Sequence, residues 1–197
     1  MPMVAATLLG FCLLPDSYTP TARADFTLGE RVNLGPTVNS PQSDGQAGLS
    51  PDGLELYFAS NRPGGYGDYD IWMSNRASIE NPWGPPVNLG PGINGASYEY
   101  STSISSDGLT LYLFSPNAYW PDLYTATRPT RGAPWGPRVN MGSVINLPDV
   151  SSTVHMNIDY LGVISPDDLE LFFGSWREDA IGMADIYVTT RATRSDT

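Results

Sequence analysis

Lysine is absent from these 197 residues, so the ten positive charges are all arginine and face 21 aspartates and glutamates. The resulting formal charge of −11 repels phosphate backbones, which argues against a nucleic-acid partner. Cysteine occurs once, at Cys12, and histidine once, at His155. That poverty of nitrogen and sulfur ligands argues against a zinc site. Long apolar runs are missing too. Val4–Leu14 is the main one and is too short to span a bilayer, so stable membrane insertion is not expected. Ala22-Arg-Ala24 follows it with the small-x-small spacing that signal peptidases accept, although Met1-Pro-Met3 lacks the usual positive charge. We therefore expect residues 1–24 to be a cleaved export signal and the protein to be periplasmic or secreted. The mature chain, residues 25–197, would then hold no cysteine and form no disulfide.

Helical patterning is lacking as well. No stretch shows a capped apolar period of 3.6, whereas Leu54, Leu56 and Phe58 alternate with Glu55, Tyr57 and Ala59 in the period of a sheet strand. Twenty glycines and eighteen prolines supply turns among abundant aromatic and β-branched residues. What fills the chain is a repeat. Ser50-Pro-Asp-Gly-Leu-Glu-Leu-Tyr-Phe-Ala-Ser60 returns as Ser105–Ser115 and Ser165–Ser175. Val32-Asn-Leu-Gly35 returns as Val87–Gly90 and Val139–Gly142, each followed by a further asparagine at Asn39, Asn94 and Asn146. Asp70, Asp122 and Asp185 open the closing strands, and Pro-Trp-Gly recurs at Pro82 and Pro134. Periods of this size signal propellers or solenoids. Four short strands are expected per unit, over Arg31–Leu34, Ala47–Ser50, Leu54–Ser60 and Tyr69–Asn75 in the first. The units run approximately over 28–82, 83–134 and 135–197. The fold expected is all-β, a β-propeller of about three four-stranded blades.

The run from Ser50 through Asn61-Arg-Pro-Gly-Gly-Tyr-Gly to Asp70-Ile-Trp72 resembles the WD-like propeller repeat of TolB and of exported bacterial proteins that pair such repeats with other domains. The resemblance covers roughly residues 28–191. Its first copy is close, its second lacks the Arg-Pro-Gly-Gly loop, and its third is divergent. It implies a propeller, usually of six blades, that serves as a binding or scaffolding platform, and it carries no catalytic residues over. Three units are fewer than a closed ring needs. Either the chain is a piece of a longer protein, or two copies close one ring, with the Arg31–Leu34 region of one meeting the open edge at Tyr187–Thr190 of the other.

In a propeller, the loops between the second and third strands share a face with those leading into the innermost strand. That face would carry Arg62, Tyr66, Tyr98, Tyr119, Trp120, Trp176 and Arg177, which suit stacking on sugars or gripping a peptide. The reading is an exported non-catalytic module recognising a protein, peptide or glycan, with a glycan hydrolase or lyase as the alternative. No cofactor is expected. Calcium is the one cation for which aspartates such as Asp68 and Asp70, or Asp149 and Asp159, offer oxygens, but no Asp-x-Asp-x-Asp-Gly loop is present. His155 with Ser151 or Ser152 and Asp159 fits a loop histidine better than a catalytic triad, because no Gly-x-Ser-x-Gly elbow accompanies it. The return of Asp70 as Asp122 and Asp185 points to a structural role, accepting backbone N–H bonds at a strand start.

Overall fold

A computed structural model describes residues 30–116, 120–147, 159–177 and 180–196. Leu34–Thr197 forms one compact unit and Met1–Asn33 a separate one. All strands described lie in the former, which contains no α-helix among the described residues. No helix among those residues is long and apolar enough to cross a membrane. The expected signal segment, Tyr119 and His155 lie outside the described residues.

Among the described residues, eleven strands build three antiparallel sheets. The first joins β1 (Asp44–Leu49), β2 (Glu55–Ser60), β3 (Asp70–Asn75) and β4 (Val87–Asn88) in chain order. The second joins β5 (Tyr100–Ile104), β6 (Thr110–Pro116), β7 (Pro121–Thr127) and β8 (Val139–Asn140) in the same way. The third contains β9 (Asp159–Ile164), β10 (Glu170–Ser175) and β11 (Asp185–Thr190), three strands among the described residues. β5 lies between β1 and β9, so the sheets fan out from their first strands as blades do. This is a partial β-propeller.

Two expectations need correction. Arg31–Leu34 forms no strand. Its counterparts Val87–Asn88 and Val139–Asn140 are the outermost strands of the preceding sheets, paired with β3 and β7. Sheet and sequence repeat are thus out of phase by one strand, because the Val-Asn segment pairs backwards.

Each hairpin turn explains its own sequence. Ser50 Oγ donates to Asp52 at 2.6 Å and accepts the N–H of Glu55 at 2.9 Å, while Asp52 accepts the N–H of Leu54. Ser105/Asp107 and Ser165/Asp167 repeat the arrangement. Gly53 and Gly108 take φ of +74° in these turns, where a Cβ is disfavoured. Asp168 holds the third such position at φ +63°, a region that aspartate tolerates better than most residues. Its buried carboxylate there accepts from the N–H and hydroxyl of Ser106 at 2.8 and 2.7 Å. The departure from glycine exchanges backbone freedom for a tie between the second and third sheets.

The core lies between sheets. Tyr57, Ile71, Ile93, Ile104, Leu111, Leu113 and Ala126 pack together between the first and second. Tyr112, Phe114, Leu123, Ile145, Leu171 and Phe173 do the same between the second and third. Alternate residues of β6 therefore serve opposite neighbours, which accounts for an almost unbroken apolar run in the middle strand of a blade. A charged staple reinforces the first contact: Arg128, buried, holds Glu55 by two bonds of 2.9 and 2.6 Å while its guanidinium lies 4.4 Å from the Trp135 ring centre.

Candidate binding face

The asparagines that follow Val87–Gly90 and Val139–Gly142 tie those segments to the third strand of the preceding sheet. Asn94 accepts the N–H of Ile71 at 2.8 Å and donates to the Ile71 carbonyl and to Asn88. Asn88 in turn donates to Asp70 at 2.6 Å. Asp70 also accepts the N–H groups of Tyr66 and Gly67. Asp70 and Asp185, two of the three recurring aspartates, are thus backbone acceptors, as their recurrence suggested. Asn140, Asn146 and Asp122 form the same clip on β7.

Behind the face, each innermost strand starts beside a carboxylate held by an arginine and a serine. Asp44 pairs with Arg62 at 2.6 Å, and Arg62 also bonds Ser60 Oγ and the Val38 carbonyl. Asp159 receives Ser175 Oγ at 2.5 Å and lies 3.5 Å from Arg177, which bonds the Ile145 carbonyl. In the second sheet Glu99 receives Ser115 and the N–H of Gly95, and its arginine is Arg138 at 2.7 Å, which also bonds the Ile93 carbonyl. Arg62 and Arg177 follow their serines by two residues. Position 117, two after Ser115, carries asparagine, and Arg138 brings the charge from another loop. All three guanidiniums lie 5.0–5.3 Å from the ring centre of the aromatic at the corresponding place, Trp72, Tyr187 or Tyr124. Burial pushes the Asp44 carboxyl up, but hydrogen bonds from Ser60, Arg62 and Ser40 outweigh it and hold the group below its usual value.

The arginines expected on the binding face are therefore engaged inside the protein. The aromatic residues divide. Tyr66 is 52% exposed, Tyr98, Trp120 and Trp176 are half-buried, and Tyr119 lies outside the described residues. What the structure brings together is Tyr98 with two residues not singled out in the sequence, Tyr69 and Tyr100. Tyr100 sits at the centre, 5.6 Å from Tyr69 and 5.5 Å from Tyr98 between ring centres, with Phe114 beneath at 5.1 Å. Burial, the two neighbouring phenols and Asp68 all push the Tyr100 phenol up, so it stays a neutral donor. Exposed Tyr66 and Asp68 stand on the loop that delivers Tyr69. A period-two reading of Tyr98-Glu99-Tyr100 would have found the outer pair.

Backbone contacts hold this cluster in place. The Asp68 N–H donates to the Ser97 carbonyl at 2.7 Å, and the Glu99 N–H to the Tyr69 carbonyl at 2.6 Å. Gly67 permits the approach, since a Cβ there would lie 2.1 Å from the Ser97 carbonyl oxygen. Gly67→Ala should cost about 1–3 kcal/mol through this overpacking. It should also loosen the tyrosine cluster, seen as lost near-ultraviolet circular dichroism below the melting transition.

Among the described residues, no three His, Cys, Asp or Glu side chains gather as metal ligands. Asp70, one of the oxygens considered for calcium, is occupied by Tyr66, Gly67 and Asn88.

No protein-family model matches the chain, and no curated protein does. Among solved structures, it is similar to TolB from Acinetobacter baumannii, at 12% identity and a TM-score of 0.45, over 74% of this chain and 29% of that one. It is also similar to a protein designated TolB from Agrobacterium tumefaciens, at 16% identity and a TM-score of 0.49, over 77% and 46%. The chain thus spans less than half the length of either structure.

Proposed function

We propose that this protein is a non-catalytic binding module that recognises a protein, peptide or glycan through the face carrying Tyr66, Asp68, Tyr69, Tyr98 and Tyr100. The observation behind this reading is the tyrosine cluster itself, aromatic surface fixed by backbone bonds before any ligand arrives. Aromatic rings held in this way lose little entropy on binding and carry much of the energy of typical interfaces. Phenol groups beside one carboxylate offer donors and an acceptor for hydroxyls or peptide groups. The buried carboxylates Glu99, Asp159 and Asp70 are engaged by arginine, serine and backbone partners. The apolar leader and Ala22-Arg-Ala24 support export to the periplasm or beyond.

The test compares wild type with Tyr66→Ala/Tyr98→Ala on an immobilised glycan array and on a displayed peptide library. The double variant should lose roughly tenfold or more in retention on whatever the wild type selects, and Tyr66→Ala alone, at an exposed position, should lose part of it with the melting temperature little changed. Equal retention, or turnover of a bound glycan, would overturn the reading.

A further inference from the structure

Arg191 is held as Arg128 is, yet it lacks what Arg128 holds. The Nε of each donates to the carbonyl of the positive-φ turn residue, Gly108 or Asp168, at 2.9 and 2.7 Å. The Nη1 of each donates to the carbonyl three residues on, Arg131 or Arg194, at 2.6 and 3.0 Å. These bonds set each guanidinium at the boundary between its own sheet and the one before. Arg128 meets both carboxylate oxygens of Glu55 there. The residue in register with Glu55 in the second sheet is Thr110. Among the described residues, the bonds of Arg191 all go to backbone carbonyls.

Other side chains at this boundary change in the same sense. Met73, packed into the core between the first two sheets, has Thr125 as its counterpart. Ala126 has Thr189. A cavity of about 730 Å3 lies between the second and third sheets, lined by Arg191, Thr110, Thr125 and Thr189 and by apolar Ile164 and Leu171. The three threonines are half-buried, and among the described residues their hydroxyls enter no hydrogen bond. Such groups gain from a polar atom brought to them. Two carboxylates also line the cavity, Asp168 and Asp196. Asp168 is engaged by Ser106 and stands 3.5 Å from Arg194, and Asp196 is engaged by Thr193. Their charges favour a ligand with one negative charge over a doubly charged phosphate.

We propose that this cavity is a binding site for a small organic monocarboxylate. Its carboxylate lies between Arg191 and Thr110, where the neighbouring boundary holds that of Glu55, and its apolar body lies on Ile164 and Leu171. The planar fork of an arginine suits a carboxylate from either source. One boundary thus displays, within the chain, the pairing that the next makes with a ligand. This does not depend on what the tyrosine face binds.

The test is titration calorimetry of the full chain with octanoate, with octanol and inorganic phosphate as controls. Octanoate should bind with a Kd of about 1 mM or tighter, and each control should bind at least roughly tenfold more weakly. Arg191→Ala should weaken octanoate roughly tenfold or more. Thr110→Glu supplies the carboxylate from the protein itself, so it should abolish octanoate binding while the melting temperature rises or holds. Tyr66→Ala should leave octanoate binding unchanged, which separates failure here from failure of the tyrosine face. A wild type that binds no octanoate or a control that binds as tightly would overturn the proposal. So would binding that survives either cavity variant or is lost with Tyr66→Ala, or a melting temperature lowered by Thr110→Glu.

Discussion

Glu99→Ala should remove about 3–5 kcal/mol of folding stability, a substantial share of what a domain this size possesses. The carboxylate is fully buried and serves Arg138, Ser115 and the N–H of Gly95 together. Its loss strands a guanidinium whose side chain is only 24% exposed, along with two further donors. The attraction within the pair is not the source of the effect, because desolvation consumes most of it; the charge left without a partner is. That distinction can be measured. Glu99→Leu/Arg138→Met removes both charges and should recover most of the stability lost by Glu99→Ala, read as the urea midpoint. A double variant no better than the single would mean that the ion pair itself is strongly stabilising.

Arg128→Ala is the second substitution with a large expected effect, again about 3–5 kcal/mol. Its guanidinium bonds both oxygens of Glu55 in the first sheet and also the carbonyls of Gly108 and Arg131 in its own. It also supports the ring of Trp135, which meets Tyr57 edge-on across the boundary at 6.1 Å. One truncation therefore loosens a whole inter-sheet seam. Arg191 is the matched control. It follows β11 as Arg128 follows β7, but it bonds the carbonyls of Asp168, Arg194 and Asp196 within its own sheet. The residue of β6 in register with Glu55 is Thr110. Arg191→Ala should cost no more than about 1.5 kcal/mol. Comparable losses in the two variants would show that sheet-internal bonds, not the cross-sheet pair, give arginine its weight here.

Much of the fold was legible because its determinants are local. Ser-x-Asp-Gly turns, alternating strands and the returning aspartates announce themselves within a few residues, and the blades follow. The phase of the fourth strand was not legible. Val87-Asn88 sits between two sheets in the chain, and only its pairing with β3 and the bonds of Asn88 and Asn94 to Asp70 and Ile71 show that it belongs to the earlier one. Tyr66 and Tyr98 were visible as aromatics in loops, whereas the pairing of Arg62 with Asp44 and of Arg177 with Asp159 was not, because each partner is 18 residues distant in sequence. Arg128 escaped notice although Arg76, Arg128 and Arg191 recur in register, a signal open to anyone aligning the three units.

The travelling arginine has an evolutionary consequence. Asp44 and Asp159 are neutralised from two residues past a serine, Glu99 from Arg138 in a different loop. One guanidinium suffices per carboxylate, and two would crowd a single aromatic ring. Positions 117 and 138 should therefore co-vary among descendants of this gene: arginine at one accompanied by an uncharged residue at the other, with chains bearing arginine at both, or at neither, depleted. With Arg138 neutralising the buried charge, position 117 no longer has to supply it.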